Sequence, residues 1–418
     1  SLSDLLPPLE NMGVHVRGDR SYQIQRLDGK SIWMHDFSLS YGLAAEVNLE
    51  DVRDKFQQAF RRVWEGDAES DSFNKLLLGT QLDWREIALL RSYARYMRQI
   101  GFNFRDAYIA ETLGKYLGLT DKIVALFKCR FEPGLGASSS TAEADVLAEI
   151  TAEIDEVENL NEDSIFRQYL ALINATIRTN YYQKSDAGEL KPYFSFKLRP
   201  ADIPDMPAPV PMFEIFVYSP QVEGVHLRGG KVARGGLRWS DRQEDFRTEV
   251  LGLVKAQQVK NSVIVPVGAK GGFVAKAIAP DASRQEMQEG GIAAYKTFIS
   301  GLLDITDNIV DGAVVAPQSV VRHDEDDPYL VVAADKGTAT FSDIANGLSA
   351  DYNFWLGDAF ASGGSIGYDH KGMGITAKGA WVSVQRHFLE MGVNVQSDPV
   401  TVVGCGDMSG QLIGRRIL

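Results

Sequence analysis

Arg234-Gly235-Gly236-Leu237-Arg238-Trp239-Ser240 leads into an amphipathic segment, and the chain later reaches the glycine-rich Pro266-Val267-Gly268-Ala269-Lys270-Gly271-Gly272. Ser240 and Gln243 have the spacing of a capping box, so a helix is predicted to begin just after a Gly235-Gly236 turn. Its apolar positions repeat at helical spacing, so one side would be buried: Phe246, Val250, Leu253 and Val254. The helix would carry Lys260 at its far end. A buried strand over Val263 to Val267 would then lead to a glycine-rich turn that holds Lys270.

The sequence around these segments alternates between strand-like and helix-like patterns. Tyr193 to Leu198 and Met212 to Tyr218 alternate aromatic and β-branched residues between prolines, which is typical of strands. Downstream, helical stretches alternate with apolar runs, which indicates an α/β fold. The helical stretches are Arg242 to Val259, Glu286 to Thr306 and Ala377 to Met391, and the apolar runs are Val263 to Val267, Tyr329 to Ala333 and Val400 to Val403.

The N-terminal part has a different pattern. Val14 to Ser40 predicts short strands with a turn at Asp28-Gly29, and residues 44–185 are predicted to be helical. The clearest helix begins after Asp83 as its cap and ends at Gly101, and a second covers Ile165 to Tyr181. The acidic stretch Ala142 to Glu162 is read as a solvated helix face, with a partner-binding surface as the alternative.

Composition limits the class of protein. The 418 residues are 44% hydrophobic and 24% charged, as in ordinary globular proteins, and no apolar run reaches the roughly 20 residues needed to cross a bilayer. We therefore expect a soluble protein without a membrane partner. The net charge of -13 argues against a nucleic-acid partner. Two cysteines exclude a disulfide framework and favour a reducing cytoplasm, and no secretory signal is visible. The missing initial Met suggests a fragment.

Three basic residues of this acidic chain are predicted to converge on one cleft: Arg234, Lys260 and Lys270. Glycines beside a lysine let a ligand approach the backbone, and partial burial allows such a lysine to act as a base. Separated cations suit a small dicarboxylate. A phosphate site is the weaker alternative, because Gly268 to Gly272 lacks the spacing of a P-loop. A lysine taken alone is more often a surface charge, and a glycine pair is more often a simple turn.

These segments resemble the substrate site of the glutamate, leucine, phenylalanine and valine dehydrogenase superfamily. The stretch from Gly229 to Gly414 resembles its very long bacterial glutamate dehydrogenase branch. The resemblance implies that Lys270 is the catalytic lysine and that Lys260 binds the substrate α-carboxylate. Arg234, beside Gly235 and Gly236, stands where shorter relatives have the lysine that holds the side-chain carboxylate.

Two further segments match the family. Asp335 follows an apolar run, and the resemblance to an Ala-Gly-Asp element implies that it transfers protons with the catalytic lysine. The alternative is a cap for the helix near Ser342. Gly363-Gly364-Ser365-Ile366-Gly367 resembles the Gly-Gly-Ser element of the family, and Thr376 is the candidate contact of the nicotinamide amide, or else a helix N-cap.

A strand, a glycine turn and a helix start are predicted from Val400 onward. This pattern resembles a dinucleotide fingerprint with one extra residue before the third glycine. Its cofactor-binding candidates are Gly404, Gly406, Asp407, Met408 and Gly410. Cys405 is interpreted as a small turn residue. The acid that would contact the adenine ribose lies beyond Leu418, so the choice of NAD over NADP comes from the family branch alone.

One acidic cluster invites a metal hypothesis. His323-Asp324-Glu325-Asp326-Asp327 matches neither an EF-hand nor a zinc site, so we predict a solvated turn and no metal.

The resemblance implies an α/β enzyme with a helical N-terminal region, a mixed-sheet substrate-binding domain and the beginning of a Rossmann domain. The expected parts are the tail of a small α/β module in residues 1–60, a helical domain in 61–188, the substrate domain in 189–376 and the truncated NAD domain in 377–418. The expected reaction is NAD-dependent oxidative deamination of L-glutamate to 2-oxoglutarate and ammonium, by a homo-oligomer. A dehydrogenase of another amino acid and a non-catalytic amino-acid-binding regulatory protein are the alternatives.

Overall fold

The computed structural model describes residues 2–41, 49–135, 138–260, 267–334, 339–365 and 374–401. The chain divides into two compact units, Ser1–Leu330 and Val331–Leu418. The α/β class expected from the sequence is confirmed by the helices and the mixed sheet of the first unit.

The first unit starts with a helix and a long hairpin. Helix α1 (Leu2–Asn11) precedes strands β1 (Val14–Gln25) and β2 (Ser31–Tyr41), which pair antiparallel around the predicted Asp28-Gly29 turn. Aromatic and aliphatic side chains toward the tip of the hairpin are exposed, Trp33 among them. The hairpin therefore contributes little to the core beyond Val14, which is buried.

A helical region follows. Helix α4 is the best-predicted element, because Asp83 Oδ1 accepts from the backbone amides of Arg85 and Glu86 at 2.8 and 2.9 Å, and the Glu86 side chain accepts from the amide of Asp83. The predicted helix Ile165 to Tyr181 was too long: α8 ends at Ala175, since the next four residues pair with another strand. The helices are α2 (Leu49–Trp64), α3 (Leu76–Gly79), α4 (Trp84–Gln99), α5 (Asp106–Lys115), α6 (Leu117–Phe131), α7 (Ser138–Asp155) and α8 (Leu160–Ala175).

The acidic stretch Ala142 to Glu162 lies on α7 and the start of α8. Its acidic residues are exposed or half-exposed, as predicted for a solvated face, except Glu162, which is buried, while Ile150 and Ile154 are buried against the other helices. Several of its carboxylates bind cations of α5 and α6, as Glu153 does with Lys122 Nζ at 2.6 Å. The stretch is therefore attached to the helical region.

The sheet of the first unit has the strand order β7-β8-β6-β5-β4-β3. All neighbours in this order are antiparallel except β7 and β8, which are parallel and are joined through helix α9. Aromatic packing joins the sheet to α4, with the rings of Tyr93 and Phe196 4.9 Å apart. The elements are β3 (Thr176–Thr179), β4 (Phe194–Leu198), β5 (Phe213–Tyr218), β6 (Val222–Arg228), β7 (Ala233–Trp239), α9 (Phe246–Lys260), β8 (Val267–Ala275), α10 (Arg284–Leu303), β9 (Asn308–Val310) and β10 (Ala313–Val315).

The second unit contains a short parallel pair of strands. Strand β11 (Val331–Ala334) pairs with β12 (Ala361–Ser362), and helices α11 (Ala339–Asp351) and α12 (Ile375–Glu390) follow these strands in the sequence. Parallel pairing brings the carboxyl ends of both strands to the same edge, where α/β proteins usually bind ligands.

Candidate active site

The parallel strands β7 and β8 form the frame of the candidate site. Arg234 is paired with Gly268, and Leu237 with Gly271. Since side chains alternate between the two sides of a strand, Gly268, Lys270 and Gly272 share one side of β8, and Arg234 shares it on β7. We call this side the lysine face, and helix α9 covers part of it.

The glycines of both motifs were wrongly predicted to form turns. Gly235 and Gly236 lie inside β7, and Lys270 with its neighbouring glycines lies inside β8, which begins at Val267. A side chain at Gly235 would collide with the carbonyl oxygen of Ala269. A Cβ atom at Gly268 would lie 2.5 Å from Gln257 Oε1. At Gly272 it would lie 2.5 Å from Val250 Cγ2. The glycines therefore allow β7, β8 and α9 to pack closely.

Arg234 and Lys270 are the candidate ligand-binding cations of this face. The guanidinium of Arg234 is exposed, the Lys270 side chain is half-buried, and neither has an acidic partner within the described ranges. Strand spacing places their Cα atoms about 8 Å apart. In contrast, Arg238 on the same face binds Glu249 of α9 at 2.7 Å. The structure thus leaves two separated positive charges available to an anion.

Lys260 is the last residue of α9, as predicted, and its side chain lies outside the described part. One helical turn earlier, Gln257 Nε2 donates to the carbonyl oxygen of Arg234 at 3.2 Å, so the end of α9 lies beside the start of β7. The predicted helix start was wrong: α9 begins at Phe246, and Ser240 Oγ accepts from the amide of Arg242 rather than capping α9. Leu253 is half-buried, while Phe246, Val250 and Val254 are buried as predicted.

The second unit holds the remaining candidates. Strand β11 ends at Ala334, directly before Asp335, which lies outside the described residues. After β12, Asp343 Oδ1 of α11 accepts from the amide and the hydroxyl of Ser365 at 2.7 and 3.0 Å. A Cβ atom at Gly364 would lie 2.6 Å from the same carboxylate oxygen. Asp343 therefore holds the Gly-Gly-Ser turn at the carboxyl end of β12, a contact that sequence reasoning missed.

The cofactor candidates are described only in part. Thr376 lies in the first turn of α12, whose N-cap is Gly374, so the reading of Thr376 as the N-cap was wrong; its side chain is outside the described part. The five residues of the predicted dinucleotide turn also lie outside the described ranges: Gly404, Gly406, Asp407, Met408 and Gly410.

The opposite side of the β6–β8 sheet carries a buried ionic network that the sequence did not reveal. Arg228 is paired with Ala269, so its side chain points away from the lysine face. We call this side the paired face. Arg228 and Lys197 both bind Asp327, and Lys197 also binds Asp324. Arg178 joins Asp324 to Asp307.

The acidic cluster at residues 323–327 was therefore wrongly predicted to be a solvated turn. Asp324 and Asp327 are almost fully buried, whereas Glu325 and Asp326 are exposed. Burial alone would raise the pKa of Asp327, but Arg228 and Lys197 outweigh it and lower the pKa to about 2. This carboxylate is a structural anion.

His226 lies on the paired face, opposite Gly271 in β8. It is fully buried, and neither ring nitrogen has a hydrogen-bond partner in the described part of the chain. Burial, with a smaller contribution from Arg228, lowers its pKa to about 3. The imidazole is therefore neutral at physiological pH. A lone histidine in a strand gives no sequence signal for this environment.

Comparison with known proteins identifies the family. Residues 149–418 match the catalytic domain of bacterial NAD-glutamate dehydrogenase, residues 68–133 match helical motif 3 of glutamate dehydrogenase, and residues 1–52 match its ACT3 domain. The resemblance drawn from the glycine-rich motifs is thus confirmed. None of the described helices combines the length and apolar character needed to cross a bilayer.

Curated relatives match along the whole chain. The NAD-specific glutamate dehydrogenases of Pseudomonas aeruginosa, Halomonas elongata and Mycobacterium tuberculosis are 59%, 58% and 50% identical to it. The chain spans only 26%, 26% and 27% of their respective lengths. The catalytic-domain match covers more than half of the chain, which therefore belongs to the bacterial NAD-glutamate dehydrogenase family.

Proposed function

We propose that the protein to which this chain contributes oxidises L-glutamate to 2-oxoglutarate and ammonium, with NAD as the hydride acceptor. The whole-chain similarity to proteins named NAD-specific glutamate dehydrogenase supports this reaction. The chain covers about a quarter of those relatives, so the activity is proposed for the longer protein and not for the chain alone.

The lysine face is the structural observation that carries the proposal. Arg234 and Lys270 are unpaired cations within the described ranges, although the chain has a large excess of acidic residues. The half-buried Lys270 loses part of its hydration without gaining a counterion among the described residues, and an anionic ligand would compensate for that loss. Lys260 at the end of α9 adds a third candidate cation beside the start of β7. Two carboxylates of one substrate match this separated set of charges.

Each residue has a proposed role in the reaction. Arg234 holds the side-chain carboxylate, next to Gly235 and Gly236, and Lys260 holds the α-carboxylate. Lys270 Nζ accepts a proton from water while the water oxygen bonds to the imino carbon, and Asp335 delivers a proton to the departing amine nitrogen. Fixing the substrate by two charged anchors supplies much of the rate gain, because the reacting atoms are already aligned.

When bound, NAD would supply the acceptor for the hydride that leaves the α-carbon. Thr376 is the proposed contact of the nicotinamide amide, and the proposed pyrophosphate turn consists of Gly404, Gly406, Asp407, Met408 and Gly410. The turn after β12, held by Asp343, lies at the carboxyl end of a parallel strand, where dinucleotides bind in this class of fold.

Arg234 favours glutamate over an apolar amino acid. An apolar side chain placed against an exposed guanidinium would gain no ionic contact and would remove part of its hydration. We further propose the domain boundaries given above, a homo-oligomeric assembly and a cytoplasmic location, which the low cysteine content favours.

The test is glutamate-dependent reduction of NAD by the full-length protein and its Lys270→Ala variant. We expect the variant to lose about a thousandfold in kcat, since general acid–base groups contribute on this scale. Lys255→Ala, which removes an exposed lysine of α9, is the matched control and should retain full activity. If the parent binds glutamate but reduces neither NAD nor NADP, the proposed function is wrong and the regulatory alternative replaces it.

A further inference from the structure

The helical region contacts the candidate site through the beginning of α9. Gln99, the last residue of α4, is 3% exposed. Its side-chain oxygen accepts from the backbone amide of Arg247 at 3.1 Å, and its nitrogen donates to the carbonyl oxygens of Gln243 and Glu244, both at 3.2 Å. One side chain from a distant part of the sequence thus satisfies three backbone groups where α9 begins.

Among the described residues, the first turn of α9 lacks a local side-chain cap, because the side chain of the residue just before the helix binds another group. The first amides of a helix have no partner inside the helix, and a side chain just before it usually accepts from them. Asp245 stands at that position, but its carboxylate binds the guanidinium of Arg242, with Nε to Oδ1 at 2.9 Å. Gln99 therefore supplies from outside the acceptor that a local capping residue normally supplies.

The same turn is fixed to the sheet from the other side. Arg247 is 1% exposed, and its guanidinium binds both carboxylate oxygens of Glu214 in β5 at 2.7 Å. Gln99 and Glu214 together hold the first turn of α9 in one orientation. Lys260 lies at the other end, about 21 Å away at the rise of an α-helix. A tilt of about 3° at the beginning of α9 would therefore move Lys260 by about 1 Å.

We infer that Gln99 is a positioning residue: by capping α9 from the helical region, it sets the orientation of the helix that carries Lys260 toward the substrate. The inference rests on the proposed function, since Lys260 is proposed to hold the α-carboxylate. Helix α4, residues 84–99, would then contribute to substrate binding through the orientation of α9, although Gln99 touches no reacting atom.

The experiment uses the full-length protein with Gln99→Met, which keeps the side-chain length but removes all three hydrogen bonds. We expect KM for glutamate to rise about tenfold, because misplacing a substrate anchor weakens productive binding. KM for NAD should stay within about twofold of the parent. Gln99→Glu keeps an oxygen facing the Arg247 amide but loses both donors, so about a threefold rise is expected.

A second measurement does not depend on activity. Hydrogen–deuterium exchange of the peptide covering residues 246–260 should accelerate in Gln99→Met, because its first turn loses its cap. Gln168→Met is the matched control: Gln168 is a buried glutamine of α8 whose Nε2 has no partner in the described part of the chain. This control should change neither the exchange of residues 246–260 nor KM for glutamate.

Two results would overturn the inference. One is a Gln99→Met variant with unchanged KM for glutamate and unchanged exchange across α9. The other is a fall in kcat with KM for glutamate unchanged, which would indicate a general structural role. A parent protein that does not oxidise glutamate would refute the proposed function, while the exchange experiment would still test whether Gln99 caps α9.

Discussion

The two sides of strand β8 use charge in opposite ways. On the paired face, Arg228, Lys197 and Arg178 each bind a buried aspartate. On the lysine face, Arg238 binds Glu249, but Arg234 and Lys270 have no counterion in the described ranges, and glycines replace the side chains on both sides of Lys270. The comparison separates two purposes of a charged residue. A paired buried charge fixes the structure, and an unpaired charge beside a glycine-lined surface is available to a ligand.

Removing a charge from the paired face should have the largest effect on stability. Asp327→Asn leaves the buried Arg228 without a carboxylate partner among the described residues and leaves Lys197 with Asp324 alone, so we expect a loss of about 3–5 kcal/mol. The local unfolding free energy can be measured from hydrogen exchange of residues 213–228 in the full-length protein.

Asp326→Asn provides the control for this loss. Asp326 is exposed and binds Arg322, four residues earlier in the chain, at 2.7 Å, so its removal should cost less than about 1 kcal/mol. Equal effects of the two substitutions would show that the buried network contributes no more than a surface ion pair, and the contrast between the two faces would fail.

His226 is expected to make the stability of the paired face depend on pH. Its pKa is about 3 in the folded protein and that of an ordinary histidine, about 6.5, when unfolded. The unfolded state therefore binds the extra proton first, so stability falls as pH decreases below about 6.5. The expected loss between pH 6.5 and 5 is about 2 kcal/mol.

A His226→Leu variant should lack this dependence on pH. The measurement compares the exchange-derived stability of residues 222–228 at pH 6.5 and pH 5, after correction for intrinsic exchange rates. This range lies above the region in which Asp327, with its pKa of about 2, loses its contribution. A variant with the same decrease in stability as the parent would assign that decrease to other groups.

Structural features that depend on residues close in the sequence were predictable. Features that depend on contacts between residues far apart in the sequence were not. Helix α4 has its cap and its apolar stripe within twenty residues, and Lys260 was correctly placed at the end of α9. The partners of Asp324 and Asp327 lie 146, 127 and 99 residues away in the chain. No local pattern indicates that such a cluster is buried.

The glycines of the candidate site also depend on contacts that are distant in the sequence. Glycine pairs usually mark turns, because glycine adopts backbone conformations that other residues avoid. Here Gly235 is required because the Ala269 carbonyl oxygen lies where its side chain would be, whereas a side chain at Gly268 would displace the end of Gln257. The resemblance to the family placed Arg234 and Lys270 in one site without this information. Their position inside neighbouring strands became visible only from the register of β7 and β8.

The smallest change in stability is expected for a substitution on the lysine face. The same replacement, lysine by methionine, is made on each face to compare the two. Lys197→Met removes the cation that binds Asp324 and Asp327, so a loss of about 3 kcal/mol is expected. Lys270→Met removes a half-buried cation that has no counterion in the described part of the chain, and the stability of this variant should remain within about 0.5 kcal/mol of the parent. Hydrogen exchange of residues 194–198 and 267–275 reports the two sites in the same protein. A loss of stability at Lys270 as large as that at Lys197 would mean that the Lys270 ammonium stabilises the fold. Lys270 would then not be a cation left available to a substrate.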